Sequence, residues 1–306
     1  MKDTILEVNN LIVGFQMYQK KGFRKDTLQV IHSLSLDVRK GELLAVVGSS
    51  GSGKSILAHA ILNLLPKNSI KTGLVLYKGA PIDKKRERAL LGKEIAFIPQ
   101  SVDYLDPLMK VGKQVRGVYG TKQRQEDLFC KYQLEPDVAE KYPFQLSGGM
   151  ARRTLICGAL MGEPELVIAD EPTPGLSLDM AMETLKHFRR IADEGAGVLM
   201  ITHDLDLALH VADRVAVFYA GTILEIAPKE DFVKGKDALR HPYSKALIDA
   251  LPQNDFKPIP GTQPYAGNLP SGCLFADRCS FRTDQCVGEQ QERIVRGGKV
   301  RCVNAI

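Results

Sequence analysis

The chain has 306 residues, 44% of them hydrophobic and 25% charged, with a formal net charge of +5. This is the balance of an ordinary soluble globular protein, long enough for one large α/β unit with additions or for two modest domains. No apolar run approaches the ~20 residues of a membrane span, and Met1-Lys2-Asp3-Thr4 begins no signal peptide, so a cytosolic protein is expected.

In chain order, Ile5–Val8 and Leu11–Phe15 read as edge strands, and Lys20 to Lys25 as a basic loop. Leu28–Val38 alternates apolar and polar residues like a half-buried strand. Leu43-Leu44-Ala45-Val46-Val47 is a short buried strand, and Ser55 to Leu65 reads as a helix. Between them Gly48-Ser49-Ser50-Gly51-Ser52-Gly53-Lys54-Ser55 fits G-x-x-x-x-G-K-[ST], in the strand–loop–helix setting that a phosphate-binding loop requires. Glycines let such a loop wrap a polyphosphate so that its N–H groups point inward, and the helix start adds positive partial charge. Lys54 is placed to reach the β- and γ-phosphates and Ser55 to ligate Mg²⁺.

Leu74–Tyr77 and Ile95–Ile98 are further strands, and from Ser101 to about Leu160 the pattern becomes helical. Leu166-Val167-Ile168-Ala169 is a buried strand that ends in Asp170-Glu171. Asp170 is expected to hold Mg²⁺ through water, and Glu171 to polarise the attacking water as general base. Asp179 to Asp193 is an amphipathic helix, Gly197–Ile201 a buried strand, and Val215–Tyr219 with Thr222–Ile226 a hairpin around Ala220-Gly221. Strands alternating with helices imply a mainly parallel sheet covered on both faces. Pro252 to Pro270 is linker-like, a Cys-rich tail follows, and no internal repeat is visible.

Leu146-Ser147-Gly148-Gly149-Met150, with the phosphate loop upstream and Asp-Glu downstream, resembles the signature motif of ATP-binding cassette (ABC) ATPases. The resemblance implies an α/β fold, an ABC-type P-loop ATPase with a mainly parallel core sheet, an antiparallel β subdomain, a helical subdomain at about 101–160 and a small Cys-rich C-terminal extension. It implies that Gly48 to Ser55 bind ATP, that Ser147, Gly148, Gly149 and Met150 face the ATP of a partner cassette, and that Mg²⁺ is held through Ser55, Gln100 and Asp170. Glu171, Gln100 and His203 take the catalytic positions. Phe15 is the first choice to stack on adenine, with Tyr18 and Phe23 as competitors. One position departs: Ser177 stands where the family carries the aspartate of a loop that works across the dimer interface, which raises the expectation of a heterodimer with unequal sites.

His241-Pro242-Tyr243-Ser244-Lys245-Ala246-Leu247, Pro260-Gly261, Gly272-Cys273-Leu274-Phe275 and Asp277-Arg278-Cys279 resemble the C-terminal extension of the oligopeptide/dipeptide/nickel importer ATPases. The expected division is a cassette over 1–228 and an extension over 229–306. The expected function is an ATP-hydrolysing subunit that powers uptake of peptides, nickel or a related small solute; the alternative is a weakly hydrolysing regulatory cassette paired with a more active ATPase. The partners implied are a second ATPase subunit, two transmembrane permeases and an extracytoplasmic solute-binding protein, at the cytoplasmic face of the membrane, with no nucleic acid. Cys273, Cys279, Cys286 and Cys302 lack paired C-x₂-C spacing. Two readings stay open for them: a [4Fe–4S] cluster or zinc, which some members of this branch suggest, and reduced thiols packed in a small tail.

Overall fold

The computed structural model describes residues 3–18, 25–49, 51–118, 120–254 and 256–305. In chain order they form β1 (Thr4–Tyr18), β2 (Lys25–Arg39), β3 (Leu43–Val47), α1 (Lys54–Ile61), β4 (Ser69–Tyr77), β5 (Ala80–Pro81) and α2 (Lys84–Leu90). Next come β6 (Ile95–Ile98), α3 (Val111–Arg116), α4 (Lys122–Lys131), α5 (Gly148–Ala159), β7 (Leu166–Asp170), α6 (Leu178–Asp193) and β8 (Gly197–Thr202). The chain continues through α7 (Leu205–Val211), β9 (Arg214–Tyr219), β10 (Thr222–Pro228), α8 (Lys229–Val233), α9 (Pro242–Asp249), β11 (Arg293–Val295) and β12 (Gly298–Val300). It divides into two units: Met1–Ile5 with Val38–Leu43 and Ile82–Thr202, and Leu6–Asp37 with Leu44–Pro81 and His203–Ile306.

In the first unit β6, β7 and β8 are parallel, with Ile95 opposite Leu166 and Asp170 opposite Ile201. Every residue of β7 and β8 is buried, as strands covered on both faces must be. On α6, Ala181, Leu185, Phe188, Ile191 and Ala192 recur at helical spacing and are buried, so one stripe of the helix packs inward while its other side stays polar. The 101–160 stretch is helical but broken. Gly117 takes φ 55 after α3, and Pro136 and Pro143 each open a short 3₁₀ helix, since proline suits only the first turn of a helix.

The second unit holds an antiparallel sheet in the order β2-β1-β4-β5 and strands in the order β11-β12-β10-β9-β3. β3 runs parallel to β9, and the other neighbours are antiparallel. The two edge strands expected at Ile5–Val8 and Leu11–Phe15 are one strand, β1, whose register shifts between Asn9 and Ile12, with Asn10 at φ 49. Asparagine tolerates that left-handed conformation, so the bulge looks like a break in the pattern. The helix expected to reach Leu65 stops at Ile61; Asn63 takes φ 55 and Pro66 follows.

The extension is knitted into this unit. β12 pairs with β10, placing Glu225 opposite Val300. Fully buried Glu225 accepts from the backbone N–H groups of Arg240 (3.0 Å) and His241 (2.8 Å) and from the Arg240 guanidinium at 3.3 Å. Arg240 also meets Asp231 at 2.8 Å. A buried charge is tolerated when every lone pair finds a donor, and here that demand pins the start of α9 to β10.

Candidate functional site

In the second unit β3 delivers the chain into the glycine loop. A Cβ on Gly48 would lie 2.5 Å from the Phe218 carbonyl oxygen of β9, so only glycine lets the loop leave the sheet there. Gly51 and Gly53 take φ 73 and 101, conformations that cost glycine nothing and other residues much. Buried Lys54 opens α1 and folds back over the loop, its Nζ donating to the carbonyls of Gly48 (2.9 Å) and Ser49 (2.8 Å). Ser52 Oγ is buried without a hydrogen-bond partner among the described residues, and Ser55 is half-buried in the first turn of α1. A cradle closed to any larger residue at Gly48, a cation held over its carbonyls and a helix start beneath it fit a polyphosphate. Ser50 lies outside the described residues.

In the first unit β7 ends at Asp170, 4% exposed, and Glu171 follows at φ 42. The Glu171 N–H donates to the Ile201 carbonyl at 2.8 Å, and Gln100 Nε2 donates to Glu171 Oε2 at 3.2 Å. The structure thus brings together Gln100 and Glu171, 71 residues apart in sequence. Ser147 caps α5, its hydroxyl accepting from the Met150 N–H at 3.3 Å, and Ser147 and Gly148 are exposed. Gly149 is pressed against the end of the Met180 side chain, which would have to move aside for a Cβ.

Arg152 escaped sequence reasoning. It is 4% exposed on α5 and donates to the Pro99 carbonyl (2.9 Å) and the Gln100 carbonyl (2.7 Å). α5 therefore holds the backbone from which Gln100 projects. The signal available in sequence was a cation among residues that α5 buries, the adjacent Ala151 and Thr154 included.

The remaining expected positions are placed as follows. His203 is exposed after β8, and the next residue, Asp204, caps α7 by accepting from Leu207 N–H at 2.9 Å. Phe15 is half-buried on β1 opposite Ser69. The side chain of Tyr18, Phe23 and most of the Lys20–Lys25 loop lie outside the described residues. Ser177 caps α6, accepting from the Met180 N–H at 3.5 Å, and Asp179 lies in that helix's first turn.

Cys273, Cys286 and Cys302 are buried, and Cys279 is partly exposed. Burial pushes the Cys273 thiol up to about 11 and raises Cys279 and Cys302 as well. The Cys286 sulfur already accepts from the Thr283 N–H at 3.4 Å. Among the described residues no group of three or more His, Cys, Asp or Glu side chains is arranged to hold a metal ion. The expected cluster or zinc thus finds no support in the arrangement of these sulfurs.

Residues 31–174 match the family described as "ABC transporter", and residues 224–286 match "Oligopeptide/dipeptide transporter, C-terminal region". The chain is 35% identical to the dipeptide transport ATP-binding protein DppD of Bacillus subtilis, over 98% of this chain and 92% of that protein. It is 35% identical to the oligopeptide transport ATP-binding protein OppD of the same organism, over 90% and 82%, and 34% identical to a probable D,D-dipeptide transport ATP-binding protein of Escherichia coli, over 94% and 92%. Among solved structures, a bacterial ABC transporter cassette in its dimeric form has a TM-score of 0.62 at 23% identity, covering 74% of this chain and 99% of that one, a likeness of fold. The chain belongs to the ABC transporter family, in the branch that carries the oligopeptide/dipeptide transporter C-terminal region, and is an ATPase that couples ATP hydrolysis to transport.

Proposed function

We propose that this ATPase powers the import of dipeptides or oligopeptides from the cytoplasmic face of a membrane, with two permeases, an external solute-binding protein and a second ATPase subunit as its partners. One observation carries the cargo assignment: likeness to peptide transport ATP-binding proteins runs over nearly the whole chain, the extension at 224–286 included. The relatives named above give no support to nickel. Cassette and extension divide near residue 228, where β10 ends.

The site residues take these roles. Gly48 to Ser55 bind the phosphates of ATP, and Phe15 stacks on its base. The hydroxyl of Ser55, the amide of Gln100 and the carboxylate of Asp170 are hard oxygen donors of the kind Mg²⁺ takes, and that ion would neutralise charge on the phosphates. Glu171 removes a proton from the attacking water, and His203 hydrogen-bonds the terminal phosphate. Ser147, Gly148, Gly149 and Met150 meet the ATP of the second subunit, so two cassettes share each site. The cap that Ser177 gives α6 already accounts for a serine there; unequal sites would show as unequal losses when Glu171→Gln and its counterpart are placed in one subunit at a time.

Uptake of a labelled dipeptide and a labelled oligopeptide by cells lacking this chain tests the assignment. Loss of uptake, restored by the wild-type chain and not by Glu171→Gln, is the expected result. Undiminished uptake of both peptides alongside a loss of nickel uptake would reassign the cargo.

A further inference from the structure

The second residue of the glycine loop is gripped from the far end of the sequence. Ser49 Oγ donates to Gln263 Oε1 at 3.0 Å, across 214 residues, and its side chain also interacts with that of Tyr243. The carbonyl of the same Ser49 accepts from Lys54 Nζ. One residue thus stands between the loop's lysine and the C-terminal extension.

Neither grip is left to chance. Tyr243, 3% exposed, lies in an aromatic cluster, 4.6 Å from the Tyr219 ring and 5.1 Å from Phe275. Gln263 sits in a stretch with no helix or strand among its described residues, which would leave it many conformations. Arg278 limits that freedom by tying down the chain just before it. Its guanidinium donates to the carbonyls of Ile259 (3.0 Å) and Pro260 (2.7 Å) and to the Tyr219 hydroxyl (3.3 Å), and it lies 5.8 Å from the Phe275 ring. The tail around Phe275 and Arg278 therefore fixes the linker, and the linker and α9 fix Ser49.

We propose that Tyr243 and Gln263 are positioning residues for nucleotide binding: they hold Ser49, and with it the phosphate loop, in the shape that receives a nucleotide. A loop ordered in advance loses less entropy on binding. The extension thereby sets nucleotide affinity without touching the nucleotide. This rests on the assignment of residues 48–55 to ATP.

The test is a double-mutant cycle read by MgADP calorimetry on the full chain. Ser49→Ala and the pair Tyr243→Phe with Gln263→Ala should each weaken MgADP binding about two- to tenfold, the worth of one or two net hydrogen bonds. Combining all three should weaken it no further, because they remove the same interaction. In the assembled transporter the pair should raise KM for ATP by the same factor and leave kcat within about twofold. A merely structural role would instead give effects that add. Additive losses, or unchanged MgADP affinity in the pair, overturn the proposal. A wild-type chain that fails to bind MgADP would overturn the loop assignment and the brace with it. If the pair does not fold, Gln263→Ala alone, in a stretch without regular structure, carries the same cycle against Ser49→Ala.

Discussion

At the scale of single residues, Glu171 is one of ten non-glycine residues with positive φ among those described. A non-glycine residue at φ 42 persists only where its surroundings dictate it, at a cost of about 1–3 kcal/mol, and here the Ile201 carbonyl and the Gln100 amide do so. Glu171→Gln should keep the shape and lose the base, lowering kcat about 10²–10⁴-fold while ATP still binds; single-turnover hydrolysis beside equilibrium binding distinguishes the two effects. Lys54→Ala should do the reverse and weaken nucleotide binding itself, visible by calorimetry. Arg152→Ala would leave the Pro99 and Gln100 carbonyls without their donor and should cost about 2–4 kcal/mol in urea unfolding. Lys54 and Glu171 were legible because their neighbours in sequence form a motif. Arg152, Tyr243 and Gln263 were not, because each acts through partners brought near only by folding, 214 residues away in the case of Gln263.

At the scale of elements, one helix cap makes the chain sensitive to acid. His241 starts α9, its Nδ1 accepting from the Tyr243 N–H at 3.0 Å, and complete burial pushes its pKa down to about 3. The unfolded chain takes up a proton at this residue below about pH 6.5, whereas the folded chain does not until far lower pH. Its contribution to stability is therefore whole above pH 6.5 and is lost as pH falls from there toward 3, at up to about 1.4 kcal/mol per pH unit. Asparagine caps helices well and does not titrate, so the melting temperature of His241→Asn should fall less between pH 7 and pH 5 than that of the wild type. Elements built on uniform runs, such as β3, β7 and β8, were legible from apolar pattern alone. β1 was not, because the Asn10 bulge interrupts its alternation, and the 101–160 segment hid its breaks in residues such as Gly117 and Pro143 that a helical period tolerates on paper.

At the scale of the whole molecule, the fold class and the branch of the family could be read from ordered motifs, but the status of the extension could not. It looks like an appendage in sequence, yet β12 completes the hydrogen bonding of β10, and Arg240 neutralises Glu225 beneath it. A chain ended at Pro228 should therefore expose an open strand edge and a buried unpaired carboxylate, and aggregate. Size-exclusion chromatography with light scattering would show this, and a monomeric fragment with wild-type melting would contradict it. The cysteines carry a practical consequence. Cys157 is sealed in the core, its thiol driven up to about 12, and three of the four tail sulfurs are buried, whereas Cys130 stands exposed at the end of α4. A maleimide dye added near neutrality will find α4 first, which gives a reporter on that helix without engineering a single cysteine away.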